Sequence, residues 1–350
     1  MKILSIQPSD EVKLSEKDGT LGVYLGTLRD KNEGIDREWF WNKSRSKIVW
    51  RVPEIRECIV ARKGYKILTA DYSQIEIKLM AFVSKDPEMI TALNYIDASG
   101  RPTDIYCYIS AMVYGERLNF TYDEMVLVIS GDAPGGKKHP RYKEFKRMRS
   151  NIKTTTFGVP YGSGANGVAA RCGISEEEAQ QVIDDFFKQF PVLQKWLEEQ
   201  GNLALTEHYT ETPYGRKRFY DIIRKMDEDG YDAERSQVRR WAGNHPIQAA
   251  SADMLKDALR RIYGCIRGAD VDGPDKKAPD RYDKLNEPVL YDAHIIMVVH
   301  DEIVIECRED HVEPVKLIME KCMGRAYKNI IGEVIPNKID VAVESSWEKA

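Results

Sequence analysis

The chain has 350 residues, enough for about two domains or one large domain with an insertion. With 42% hydrophobic and 31% charged residues it is expected to be a soluble globular protein, with neither a run of about 18 apolar residues nor a secretory signal, which excludes a membrane-spanning helix. Six scattered cysteines without a CxxC pair speak for reduced thiols and against a zinc site, and a net charge of −4 speaks by itself against a nucleic-acid binder.

Residues 1–60 are mixed in character and give no functional reading. Tyr65 to Ala70 (YKILTA) reads as a short buried strand. Ser73 and Glu76 then spell an S-x-x-E capping box, opening a helix with Ile75, Leu79 and Phe82 on one face. From about Asp104 to Gly201 the pattern is mostly helical. Within it, Gly131 to Lys137 (GDAPGGK) nearly spells a phosphate-binding loop, but Lys138 stands where a magnesium-ligating Ser or Thr is required. Gly162, Gly164 and Gly167 spell GxGxxG, but no strand precedes them and no βαβ unit comes after, so a dinucleotide site is rejected too.

Between Lys137 and Lys153 lie eight Lys or Arg residues and one acid, Glu144. Such a local basic stripe on an acidic chain suits a protein that holds phosphates in a groove, although a solvated helix face would have the same composition. Ser175 to Glu178 give a second capping box before AQQVIDDFFKQF, and Pro191 punctuates the segment after it. Residues 213–218 (PYGRKR) read as a turn and Trp241 to Tyr263 as a long amphipathic helix. Residues 268–287, rich in Asp, Lys, Pro and Gly, read as a surface loop. Two apolar runs, 295–299 and 303–306, flank His300, Asp301 and Glu302 and predict a hairpin with acids at its tip.

Three separated segments carry the chemistry: Asp71-Tyr-Ser-Gln-Ile-Glu76 at a strand's end; Arg149, Lys153, Phe157 and Tyr161 spaced by four; and Val299-His-Asp301-Glu302. Each alone has a bland reading, as a strand-end acid, a solvated stripe or a turn former. In this order they resemble motifs A, B and C of family A DNA polymerases, the bacterial DNA polymerase I type. DYSQIEIKLMAF resembles that family's DYSQIELR segment, RMRSNIKTTTFGVPYG its RxxxKxxxFGxxYG helix, and VHDEIVIE its VHDE hairpin. Asn244-His-Pro-Ile-Gln248 with Ala252-Asp253 resembles its N-x-P-x-Q…A-D helix, and YGRKR its GRRR-like turn. The likeness runs from about Arg51 to Trp347.

The resemblance implies an α+β fold: a palm of antiparallel sheet and helices (61–103 and 207–350) with inserted helical fingers (104–206), and an N-terminal segment (1–60) of unclear role. It implies template-directed addition of dNTPs to a primer 3′-hydroxyl with loss of pyrophosphate, on two Mg²⁺ ions about 3.5–4 Å apart. Hard cations take carboxylate oxygens, so Asp71 and Asp301 are the expected ligands, with the Tyr72 carbonyl as a further one and Glu302 in the outer shell. Arg149 and Lys153 share a helix face and can meet the triphosphate, with Lys153 counted as catalytic. Phe157 would pack on sugar and base and Tyr161 beside the template base, while Gln74 completes the expected nucleotide site. Glu76 resembles the family's steric gate against a ribose 2′-hydroxyl; Arg216, Asn244, Gln248 and His300 resemble residues contacting primer and minor groove.

The sequence departs from the pattern at Ser150, where a second Arg is frequent, and at Tyr106, where His is frequent. Pro160 predicts a kinked last turn, and Thr154 to Thr156 are poor helix formers. Only 70 residues precede Asp71, which predicts a separate thumb-bearing or exonuclease-bearing subunit docking on the apolar residues Val23, Tyr24, Leu25, Phe40, Trp41 and Trp50. The implied setting is the cytoplasm, bacterial or of a virus's host. Two other readings stay open: a single-subunit RNA polymerase, and a non-catalytic DNA-binding homologue.

Overall fold

The computed structural model describes the backbone of residues 11–15, 20–29, 36–42, 47–51, 55–97, 100, 102–221, 230–268 and 290–347. The first strands, β1 (Glu11–Ser15), β2 (Thr20–Arg29), β3 (Asp36–Asn42) and β4 (Lys47–Arg51), form an antiparallel meander. The side chains of this segment, and with them the expected docking surface, lie outside the described residues, as does the expected loop over 268–287 apart from its first residue.

The next strand, β5 (Tyr65–Ala70), coincides with the predicted YKILTA run. Its last four residues are all buried because both its faces are covered: Leu68 joins the main core while Ile67 packs with Val304 and Trp347 on the opposite side. It is followed by α1 (Ile75–Ser84) and α2 (Pro87–Asn94), joined by a buried hinge at Asp86. A helical segment comes next: α3 (Ile105–Leu118), α4 (Tyr122–Ser130), α5 (Tyr142–Gly158), α6 (Ala165–Cys172), α7 (Glu176–Gln189) and α8 (Pro191–Thr206). A small hairpin, β6 (Tyr209–Glu211) with β7 (Lys217–Phe219), leads to α9 (Tyr231–Ile266), longer at both ends than its predicted core. The chain closes with the hairpin β8 (Ala293–Val299) and β9 (Glu302–Arg308), then α10 (Val312–Ile331) and β10 (Val341–Glu344).

The central sheet is antiparallel throughout, in the order β10-β5-β9-β8. The α9 helix packs against α1, α8 and α10. The expected α+β class is therefore correct, mostly helical around one four-stranded antiparallel sheet.

Asp86 is fully buried and holds two helices together. Its Oδ1 accepts the backbone N–H groups of Glu88 and Met89, both at 3.1 Å, capping α2, while its Oδ2 accepts that of Leu193 in α8 at 2.9 Å. Asp86→Ala removes the cap and strands the Leu193 donor away from water. A loss of about 2–3 kcal/mol in urea unfolding is expected, and Asp86→Asn should recover roughly half of it; equal stability of the alanine variant would refute the clasp.

Two expectations are corrected. Ser73 does not cap α1: the helix begins at Ile75 behind Gln74, which is in the left-handed region at φ 56° and makes no capping side-chain bond. That turn frees Glu76 from the backbone and points it elsewhere. The PYGRKR segment is a turn only in its first half, since Lys217 and Arg218 already pair in β7. The expected kink at Pro160 is present as a 3₁₀ turn over Val159–Tyr161, where the missing N–H falls at the turn's start.

Candidate active site

Asp71 and Asp301 come together through strand register. Ala70 pairs with Ile303, so Asp71, just past the end of β5, lies beside the tip of the β8–β9 hairpin. Val299 pairs with Glu302, leaving His300 and Asp301 as a two-residue turn in which His300 takes the left-handed conformation at φ 54°. Burial pushes the Asp301 carboxyl up, and the charges of Asp71 and Glu76 add to it. Two acids pressed together against a half-buried wall favour an added cation.

Opposite them stands α5. Its buried face is Phe145, Met148, Ile152 and Thr155–Thr156, and its other face is the basic stripe. The helical period brings Arg149, Lys153 and Phe157 onto the same cleft of about 740 Å³ as Asp71, Tyr72, Gln74, Glu76, Gln248, His300 and Asp301. Tyr161 joins them at the rim, its hydroxyl accepting from Gln248 Nε2 at 3.3 Å. Gln248 also donates to Glu76 Oε1 at 2.7 Å, which ties α1 to α9 and explains where the freed Glu76 points.

Two of the remaining expected residues, Arg216 and Asn244, lie on or beside α9, off the cleft wall. Arg216, in the β6–β7 turn, is ion-paired with the buried Asp253. Its hairpin is seated by Thr210 Oγ1, 2.8 Å from both the Tyr220 hydroxyl and His245 Nδ1. Asn244, one turn before Gln248, has a buried Oδ1 with no hydrogen-bond partner among the described residues. Tyr72 turns its ring into the core and donates its hydroxyl to the Met323 carbonyl at 3.1 Å, so only its backbone oxygen is available to the cleft. Glu302 is held away from the cleft: Arg56 donates to both its oxygens, at 3.1 and 2.8 Å, and Trp347 Nε1 donates to Oε1 at 2.8 Å. Those three donors give Glu302 a structural role, tying the hairpin to Arg56 and Trp347.

Sequence reasoning passed over Asp104. It caps α3 through Oδ1, bonded to the N–H groups of Tyr106 and Cys107, and takes Arg149 Nε–H on Oδ2 at 2.8 Å. Forty-five residues separate the pair, so only the cap was a local signal. The two rejected phosphate loops have other uses. GDAPGGK comes after α4, a helix, and Gly131 is that helix's left-handed cap at φ 88°. At Gly162, φ is 82° and an added Cβ would lie 2.1 Å from the Arg240 side chain, so glycine there serves close packing on α9.

The DNA polymerase family A model matches residues 48–125 and 137–349. DNA polymerase I of Chloroflexus aurantiacus is 27% identical over 296 residues, covering 85% of this chain and 25% of that protein. DNA polymerase I of Pseudomonas aeruginosa is 29% identical over 297 residues, covering 85% and 26%. The thermostable DNA polymerase I of Thermus aquaticus is 25% identical over 296 residues, covering 85% and 28%. The chain thus spans about a quarter of the length of these relatives. Among solved structures, the POL domain of Pol1 from M. smegmatis, in complex with DNA primer-template and dNTP, has the same fold with a TM-score of 0.62. It is 23% identical, and the match covers 91% of this chain and 49% of that one. No helix among the described residues is long and apolar enough to cross a membrane.

Proposed function

The chain belongs to DNA polymerase family A, and from that premise we propose that it is a template-directed DNA polymerase, adding dNTPs to a primer 3′-hydroxyl with release of pyrophosphate. The observation that carries the reading is a single cleft with two acids on one wall and the Arg149–Lys153 row on the other. The donor set fits magnesium: two carboxylates and a backbone carbonyl leave room for the substrate's own phosphate oxygens. A bound Mg²⁺ pair would make the primer hydroxyl a better nucleophile and offset charge on the departing pyrophosphate.

The chain's own part is positioning and charge. Asp71 and Asp301 fix the reacting end of the cleft, while Arg149 and Lys153 meet the triphosphate on successive turns of α5. Phe157 offers a face to the sugar and base. Gln248 and His300 flank the nascent pair, where minor-groove acceptors permit a check of shape without reading sequence. The helices of segment 104–206 serve as fingers and the sheet with α1, α2, α9 and α10 as palm. The reading is tested by Mg²⁺-dependent primer extension with dNTPs or rNTPs; preference for rNTPs would favour the RNA polymerase reading, and DNA binding without extension the non-catalytic one.

Glu76, held across the cleft floor by Gln248, is the proposed sugar gate. Glu76→Ala should raise ribonucleotide incorporation relative to dNTP by about tenfold or more. Because Glu76 makes no capping bond, the stability change should stay below about 1 kcal/mol. Unchanged sugar selectivity in the folded variant would rule out the gate.

A further inference from the structure

Two cations of α5 share one aromatic ring, and that ring comes from another helix. Tyr106, second residue of α3, is 3% exposed yet forms part of the cleft wall. The Arg149 guanidinium carbon lies 5.4 Å from its ring centroid and Lys153 Nζ lies 5.7 Å from it. The Phe157 ring is 6.1 Å away, tilted by 47°. The ring is also tethered from its own backbone. The Tyr106 N–H donates to Asp104 Oδ1 at 3.1 Å, and the other oxygen of that carboxylate takes Arg149 Nε–H at 2.8 Å. One acid therefore ties down both the backbone that carries the ring and one of the cations. Burial holds the phenol protonated, Arg149 opposing and the charges of Asp104 and Glu76 reinforcing it, so the ring meets the cations as a neutral π face.

We propose that Tyr106, seated by Asp104, is a positioning residue that sets Arg149 and Lys153 in one orientation for the polyphosphate of an incoming nucleotide. The inference rests on the polymerase reading and deepens it. Long cationic side chains carry many rotamers, and a triphosphate binding to mobile ones must freeze them. An aromatic face attracts both cations before the ligand arrives, so less order is lost on binding. The attraction belongs to the ring and not to the hydroxyl, which separates this role from that of a phosphate donor. It also separates it from core packing, because a leucine or methionine fills much of the same space without a π face.

The test uses the full chain with a matched primer-template. On a dideoxy-terminated primer, Tyr106→Leu should weaken dNTP binding about tenfold. In turnover, KM should rise by a similar factor while kcat changes less, and the primer-template Kd should stay within about twofold. Tyr106→Phe, which keeps the ring, should recover most of the lost affinity. If Tyr106→Leu lowers Tm, Tyr106→Met takes its place as the non-aromatic variant. A folded non-aromatic variant with wild-type dNTP affinity would overturn the proposal, and so would a Phe variant as weak as the Leu one. A wild-type chain that binds no dNTP would overturn the polymerase reading and this inference together; one that binds and incorporates while the Leu variant matches it would overturn only the inference.

Discussion

Asp71→Ala and Asp301→Ala are each expected to lower primer extension by about 10³-fold or more while leaving the chain folded. The two acids lie at the ends of paired strands, and among the described residues the one other carboxylate lining the cleft is Glu76, which is bonded to Gln248. Stability should hold or rise slightly, because Asp301 is disfavoured as an anion by burial and by the charges of Asp71 and Glu76. Removing either charge relieves that repulsion. Extension rates and thermal melts of both variants check the prediction. Near-normal turnover in both would remove the two acids from the chemistry.

The second large effect is expected at Lys153. Its exposed ammonium lies on the cleft face of α5, one turn from Arg149, and no carboxylate pairs with it among the described ion pairs. Charge appearing on a departing pyrophosphate would meet it directly, and loss of one such preorganised donor lowers turnover by about 10²–10³-fold. Lys153→Ala should show that loss in the single-turnover rate, with Tm unchanged because the side chain packs little. Lys153→Arg should recover part of it, since the charge returns on a bulkier, planar head. A decrease of less than about threefold in the alanine variant would contradict the assignment.

How much was legible in the sequence depends on how local each signal is. YKILTA, the β8–β9 hairpin and the Ser175 cap were readable because strand, turn and cap chemistry lie within a few residues. The cleft was legible by spacing: Arg149, Lys153 and Phe157 keep to the helix period, and the structure brings them onto one wall. The capping box at Ser73 failed because a left-handed Gln74 moved the helix start, and the letters S-x-x-E do not encode that. The fate of Glu302 was hidden since its donors, Arg56 and Trp347, come from opposite ends of the chain. Asp104 escaped for the same reason, its tie to Arg149 being tertiary. Arg216 and Asn244 were assigned to primer and minor-groove contact by likeness of motif alone; Arg216 sits in the β6–β7 turn, paired with Asp253 of α9, and Asn244 on α9 itself, neither lining the cleft.

Template direction is the central claim, and single-nucleotide incorporation on four primer-templates differing only in the first unpaired template base measures it most directly. With Mg²⁺ and each dNTP in turn, the complementary nucleotide should be added at least about 10²-fold faster than the other three on every template. A chelator should stop addition entirely. Equal addition of all four nucleotides whatever the template, or addition that survives chelation, would contradict template-directed, metal-dependent synthesis by this chain.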